Sequence, residues 1–248
     1  DRSPSRGLGD VYKRQFLDVI ISQQDKQYLH ALIQYNKALL QRNTLLKDQC
    51  MDASLYEVLE MQLDMYGKTV YDKRRSLVDD FTPIFNEYYQ TICQSKEQVG
   101  LRYVSQLEKG ELSGMLQANR ERDRILGYTS SGIHKDELEM TLDNYLIRRV
   151  GSQGQNKTYL IALKLAQFAF LSHRGQTTPV LLLDDIFDKL DANRVEQIIQ
   201  LVGGDSFGQI FITDTNRKYL DAILHSINHD YALFRVEQGE VQPMGDKE

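Results

Sequence analysis

The sequence predicts an α/β protein that carries a helical hairpin, and three observations support this. Leu32, Leu39 and Leu46 recur every seven residues, with Leu29, Asn36 and Asn43 at the other seam position. Such a stripe marks a helix that pairs with a neighbour, and polar residues at the seam fix its register at some cost in stability. Beyond residue 96, strand-like and helix-like stretches alternate, the pattern of an α/β layer with a largely parallel sheet. Residues 180–183 are apolar at every position and end in two carboxylates, Asp184 and Asp185. That run should form a central strand buried on both faces.

Taken in order, residues 1–15 are polar and without period, and read as a disordered leader foreign to the fold. Residues 16–96 form the helical arm. After a polar break around residues 47–53, a second stripe runs through Leu55, Leu59, Tyr66, Val70, Leu77, Phe81, Ile84 and Tyr88. The break is short enough to make the two helices antiparallel neighbours of about 45 Å each, at 1.5 Å per residue. Pro83 lacks an N–H donor and should kink or interrupt the second helix.

Residues 97–248 change style. Val99, Leu101 and Tyr103 alternate as in a strand, a helix follows over 111–126, and residues 138–150 read as two strands joined near Asp143 and Asn144. A helix to about residue 172, the apolar strand, a helix over 192–202, the strand "GQIFIT", a further helix and a last strand around "YALFRVE" complete the chain.

Composition excludes some functions. A hydrophobic content of 41% over 248 residues is enough for a real core. No apolar run reaches the roughly 18 residues of a membrane span, so no membrane role and a cytoplasmic location are expected. Cys50 and Cys93 have no neighbouring ligands at metal spacing and read as ordinary thiols. A net charge of −5 argues against coating nucleic acid by bulk electrostatics. Local basic clusters remain at Lys73–Arg75, at Arg120, Arg122 and Arg124, and at Arg148 and Arg149, each read more readily as a solvated face.

The chemistry concentrates in two stretches. "GSQGQ", residues 151–155, directly precedes an amphipathic helix. The first N–H groups of a helix have no intrahelical partners and the dipole favours an anion there, so this is either a phosphate cradle or a plain cap with Ser152 as N-cap. "VLLLDDIFDKLD" adds paired carboxylates at a strand end, where ligands of open α/β sheets gather. Adjacent residues on an extended chain point apart, so one acid can hold Mg²⁺ while the other faces a water. Two aspartates that merely cap the next helix are the blander alternative.

"GSQGQNKT", "PVLLLDDIFDKLD" and "GQIFITDT", together with "QYNKALLQRNTLLK" and "GYTSSGIHKDEL", resemble the RecF family, whose members carry an ABC-type ATPase head related to that of SMC proteins. The resemblance extends from about Phe16 to Val241 and is strongest to RecF of the Bacteroides group. It implies the C-terminal part of an ABC-type head, with ATP and Mg²⁺ as cofactors. Ser152, Gln153, Gly154 and Gln155 then fall on the signature motif, which caps the γ-phosphate of ATP held by another subunit. Asp184 falls on the Walker B Mg²⁺ ligand, Asp185 on the acid that positions or deprotonates water, and Leu190 and Asp191 on the D-loop. Thr213, Asp214 and Thr215 fall near a switch that is histidine in transporters, and Asp185, one methylene shorter than the usual Glu, suits slow hydrolysis. The implied partners are DNA, single-stranded and junction, a second copy in an ATP-dependent homodimer, and recombination mediator and recombinase proteins. An SMC-like clamp or adaptor without significant turnover is the alternative.

No GxxxxGK[ST] stretch occurs in these 248 residues, and "YGKTV" lacks the glycine loop and sits in a helical stripe. In RecF proteins that loop lies ahead of the arm, so the chain is expected to be a fragment without it, binding ATP poorly by itself.

Overall fold

Capping carboxylates open the two long helices of the arm. Asp25 accepts from the N–H groups of Gln27 and Tyr28 at the start of α2 (Lys26–Lys47), and Asp52 accepts from Ser54 N at the start of α3 (Ala53–Cys93). A helix α1 (Asp10–Gln24) precedes them. The computed structural model describes residues 10–94, 97–174, 178–204, 206–215, 221 and 230–244. Residues 1–9 of the expected leader and the helix expected after "GQIFIT", over 216–229, lie outside them, apart from residue 221.

The leader expectation fails for residues 10–15, which are helical. Lys13 Nζ lies 3.8 Å from Glu137 Oε1, and Arg14 Nη1 donates to the Asp136 carbonyl at 2.9 Å. Phe16, Leu17, Ile20 and Ile21 then bury the face that holds α1 in place. A polar segment with no period of its own is ordered here by partners more than a hundred residues away.

Helices α2 and α3 are antiparallel neighbours, as expected: His30 meets Tyr66, and Arg42 meets Glu60. Their lengths differ, 22 and 41 residues or about 33 and 62 Å. The seam is not the leucine heptad. Buried on α2 are Tyr28, Ala31, Tyr35, Ala38, Arg42 and Leu46, whereas Leu29 is 40% exposed. The physical reason is close approach. A Cβ on Gly67 would stand 3.3 Å from the Tyr35 ring and 3.2 Å from Leu112 Cδ2, so the glycine lets the flat tyrosine lie against the backbone of α3. On α3, Leu59, Val70, Leu77 and Phe81 are buried as expected, while Leu55 is exposed. The helix runs uninterrupted through the exposed Pro83.

The chain divides into two compact units, Asp1–Thr178 and Pro179–Glu248. In the first, β1 (Val99–Val104) pairs antiparallel with β2 (Glu137–Leu142), which turns through Asp143 and Asn144, both at positive φ, into β3 (Tyr145–Leu146). The short helices α4 (Leu112–Ala118) and α5 (Arg120–Leu126) lie between β1 and β2, and α6 (Ile147–Val150) leads into α7 (Gln153–Arg174). Helix α3 packs along α7, where Phe81 meets Phe170 and Phe85 meets Tyr159 at 4.7 Å between ring centroids. Arm and sheet therefore share one core.

The second unit holds β4 (Leu181–Asp184), α8 (Ala192–Val202), β5 (Ile210–Thr213), β6 (Leu233–Glu237) and β7 (Glu240–Met244). Only β4 and β5 pair in parallel, so the expected largely parallel sheet is replaced, among the described residues, by three small sheets. Strand β4 is not buried on both faces. Leu181 and Leu183 are buried, but Leu182 is 72% exposed and Val180 stands exposed beside it. One packed layer covers one face of a strand, and an all-apolar run cannot say how many layers there are.

Candidate functional site

Gly151 makes the bend between α6 and α7 possible, because a Cβ there would come within 2.8 Å of both the carbonyl oxygen and a side-chain carbon of Ile147. The next four residues form a reciprocal cap. Gln155 N donates to Ser152 Oγ at 3.2 Å, Ser152 N donates to Gln155 Oε1 at 2.8 Å, and Asn156 N makes the first helical bond to Ser152 O. This is the capping box of the S-x-x-Q type, legible in the sequence once Gln155 is paired with Ser152. Cap and cradle are compatible. A hydroxyl has one proton and two lone pairs, so Ser152 Oγ accepts from Gln155 while retaining a proton to donate outward. Ser152 and Gln153 are exposed, and the N–H groups of Gln153 and Gly154 belong to the first turn of α7.

A further bond anchors the box. Gln155 Nε2 donates to Glu97 Oε1 at 2.9 Å, and Tyr89 OH donates to Glu97 Oε2 at 2.9 Å. Neither Glu97 nor Tyr89 carries a sequence signal, since the bond that joins Glu97 to Gln155 is set by packing across 58 residues of chain.

In the second unit, Asp184 and Thr213 stand opposite each other at the carboxyl ends of β4 and β5. Thr213 Oγ1 donates to Asp184 Oδ1, and Asp185 N donates to Thr213 O at 3.0 Å. Asp185 has φ of 46°, the left-handed region that Asp and Asn enter more readily than other non-glycine residues. Asp191 spends its carboxylate on α8: Oδ1 accepts from Arg194 N at 3.0 Å, an N-cap. Among the described residues no group of three His, Cys, Asp or Glu could hold a metal ion. An exposed carboxylate with a hydroxyl at its side fits Mg²⁺ in the way that ion is usually held, by one or two carboxylates together with substrate phosphates and water.

The basic clusters are largely consumed by structure. Arg74 is buried, with Nη2 2.9 Å from Asp18 Oδ1, and Arg120 Nη2 lies 2.6 Å from Glu60 Oε2. Arg148 reaches Glu137 at 4.0 Å and stays half exposed.

The turn over 128–136 is tied down from every side. Arg74 Nη1 donates to Ile133 O, Gln106 accepts from Gly132 N, and Thr129 N donates to Asn43 Oδ1. His134 Nε2 faces the Thr129 carbonyl at 3.0 Å and must donate to it; in the neutral ring that burial favours, Nδ1 then accepts from Tyr35 OH at 2.8 Å. Burial pushes His134 down to about 4, and pushes the nearby Asp136 up to about 6. A depressed histidine contributes stability above its unfolded value of 6.5 and loses it as pH falls toward 4, because the unfolded chain takes the proton first. Asp136 acts in the opposite sense, its contribution being lost as pH rises through about 6, but it is common to wild type and variant. The stability advantage of wild type over His134→Gln should therefore shrink by up to about 3 kcal/mol between pH 7 and pH 4. Urea unfolding of both proteins at pH 7, 6, 5 and 4 checks this; a constant gap contradicts it.

No protein-family model matches the chain. Among curated proteins, the DNA replication and repair protein RecF of Parabacteroides distasonis is 82% identical over 236 residues, covering 95% of this chain and 65% of that protein. RecF of Bacteroides fragilis strain ATCC 25285 is 57% identical over 241 residues, covering 97% of this chain and 65% of its own length. Over nearly all of its length the chain is similar to RecF proteins. It spans about 65% of the length of these relatives. A solved structure of the recombination mediator protein RecF bound to ATP in the RecFOR pathway superimposes with a TM-score of 0.78 at 26% identity, over 98% of this chain and 66% of that one. The fold is accordingly that of the RecF structures, solved with ATP in one case.

Proposed function

We propose that the full-length protein is an ATP-dependent DNA-binding protein of repair, recombination and replication that promotes recombinase loading at gapped or junction DNA. ATP clamps two copies together, with the signature turn of one copy meeting the γ-phosphate held by the other. The observation that supports this reading best is the capping box at Ser152, whose hydroxyl proton is left to donate beside the first N–H groups of α7. Asp184, one of whose oxygens accepts from Thr213 Oγ1, would hold Mg²⁺. Asp185 would position or deprotonate the attacking water, and Asp191, which caps α8, would lie at the interface between copies. Bound Mg²⁺ supplies charge neutralisation on the phosphates. DNA is held along the clamped dimer, and mediator and recombinase proteins are recruited to it.

Sedimentation velocity of the full-length protein with and without ATP·Mg²⁺, beside a Ser152→Arg variant, tests the clamp. Wild type should dimerise only with nucleotide, and the arginine, which fills the space of the phosphate and removes the hydroxyl, should abolish the dimer. Wild type that stays monomeric with ATP, or a variant that dimerises like it, withdraws the reading.

A further inference from the structure

We propose that Glu97 is a positioning residue for the signature turn, holding its capping box in the geometry that receives phosphate and tying it through Tyr89 to the arm helix α3. The proposal rests on the clamp reading above and adds a residue to it. The chain of contacts is continuous: Tyr89 OH to Glu97 Oε2 at 2.9 Å, Gln155 Nε2 to Glu97 Oε1 at 2.9 Å, Ser152 N to Gln155 Oε1 at 2.8 Å, and Gln155 N to Ser152 Oγ at 3.2 Å.

Each link orients the next. A primary amide presents one accepting and one donating end, and a carboxylate can only accept. Glu97 therefore compels the Gln155 amide to turn its nitrogen toward residue 97 and its oxygen toward Ser152 N. With the amide reversed, two N–H donors would face each other at Ser152, and the box would open. The box in turn decides that Ser152 Oγ accepts from the helix and keeps its proton for a ligand. Tyr89 fixes Glu97 from a buried site on α3, where its ring packs on Phe85 and Tyr159 at the junction with α7. The arm thus holds the signature side chains through a hydrogen-bonded carboxylate, the stronger class of such bonds.

The test compares full-length wild type with Glu97→Ala, Glu97→Gln, Tyr89→Phe and the Ser152→Arg reference. Three quantities are read: the ATP·Mg²⁺-dependent dimer dissociation constant by sedimentation, the affinity of the monomer for a fluorescent ATP analogue, and amide hydrogen exchange over residues 150–158. Glu97→Ala should weaken the dimer at least tenfold, equivalent to about 1.4 kcal/mol, and should speed exchange in the signature peptide. Monomer nucleotide affinity should stay within twofold, since the signature turn acts only across the dimer. Glu97→Gln keeps an acceptor for Gln155 and should recover much of the loss, and Tyr89→Phe should fall between wild type and Glu97→Ala. A purely structural role would instead lower monomer affinity and dimerisation together. If Ser152→Arg loses the dimer while Glu97→Ala and Tyr89→Phe dimerise like wild type, the positioning role is refuted and the clamp stands. If wild type itself does not dimerise with ATP, the clamp reading fails first. Should Glu97→Ala not fold, Glu97→Gln and Tyr89→Phe carry the comparison, and wild-type dimerisation and exchange in both refute the proposal.

Discussion

Replacing Arg42 with methionine is expected to lower the free energy of unfolding by about 3–5 kcal/mol. The guanidinium is fully buried between α2, α3 and α5. It reaches Asp123 Oδ2 at 2.7 Å and Glu60 Oε1 at 3.1 Å, and it donates further to Thr129 Oγ1 and the Leu116 carbonyl. Methionine keeps much of the volume and removes the charge, leaving two buried carboxylates with too few partners. Arg120 still reaches Glu60, so Asp123 carries most of the penalty. Converting it as well, in Arg42→Met with Asp123→Asn, should therefore return a large part of the loss. Urea unfolding of the three proteins measures this. A single-variant loss under about 1 kcal/mol would mean that the network is no more than a surface-like pair.

Asp185→Asn in the full-length protein should leave ATP-dependent dimerisation intact and lower ATP turnover by about a hundredfold or more, the usual range for losing a positioned general base. Asparagine is the substitution of choice here because of the backbone. At φ of 46° the left-handed conformation costs most residues roughly 1–2 kcal/mol, and Asn tolerates it, so the turn and the bond from residue 185 N to Thr213 O persist. Asp185→Ala should lose the same turnover and some stability with it. Steady-state phosphate release together with sedimentation separates the two effects. Unaltered turnover in Asp185→Asn would remove this residue from the chemistry and shift attention to Asp214 and Thr215, which follow β5.

How far the site was legible can be followed residue by residue. Ser152, Gln155, Asp184 and Asp185 declare themselves, because caps and strand-end carboxylates are local features. The pairing of Ser152 with Gln155 follows from hydrogen-bonding chemistry that depends on a few neighbours in the chain, whereas the roles toward phosphate, Mg²⁺ and water are what the resemblance implies. Thr213 was visible as a polar residue after a strand, but its bond to Asp184 depends on the parallel register of β4 and β5. Glu97, Tyr89 and the Arg42 network carried no local signal at all.

The same division runs through the fold. Hydrophobic period and the turn at Asp143 and Asn144 located the two long helices and the β2–β3 hairpin, since each depends on a repeat of 3.6 or 2 residues or on a single turn, whereas residues 147–150, expected as strand, form α6. Only the tertiary structure decided which face of α2 is buried, the one that carries Ala31, Tyr35 and Ala38, with the Tyr35 ring against Gly67 of α3. It also decided that residues 10–15 are helical, through Lys13 pairing with Glu137 at the start of β2 and Arg14 donating to the Asp136 carbonyl just before it, and that one face of β4 is exposed. Burial is a property of what packs against a residue, and the chain alone records only what that residue could tolerate.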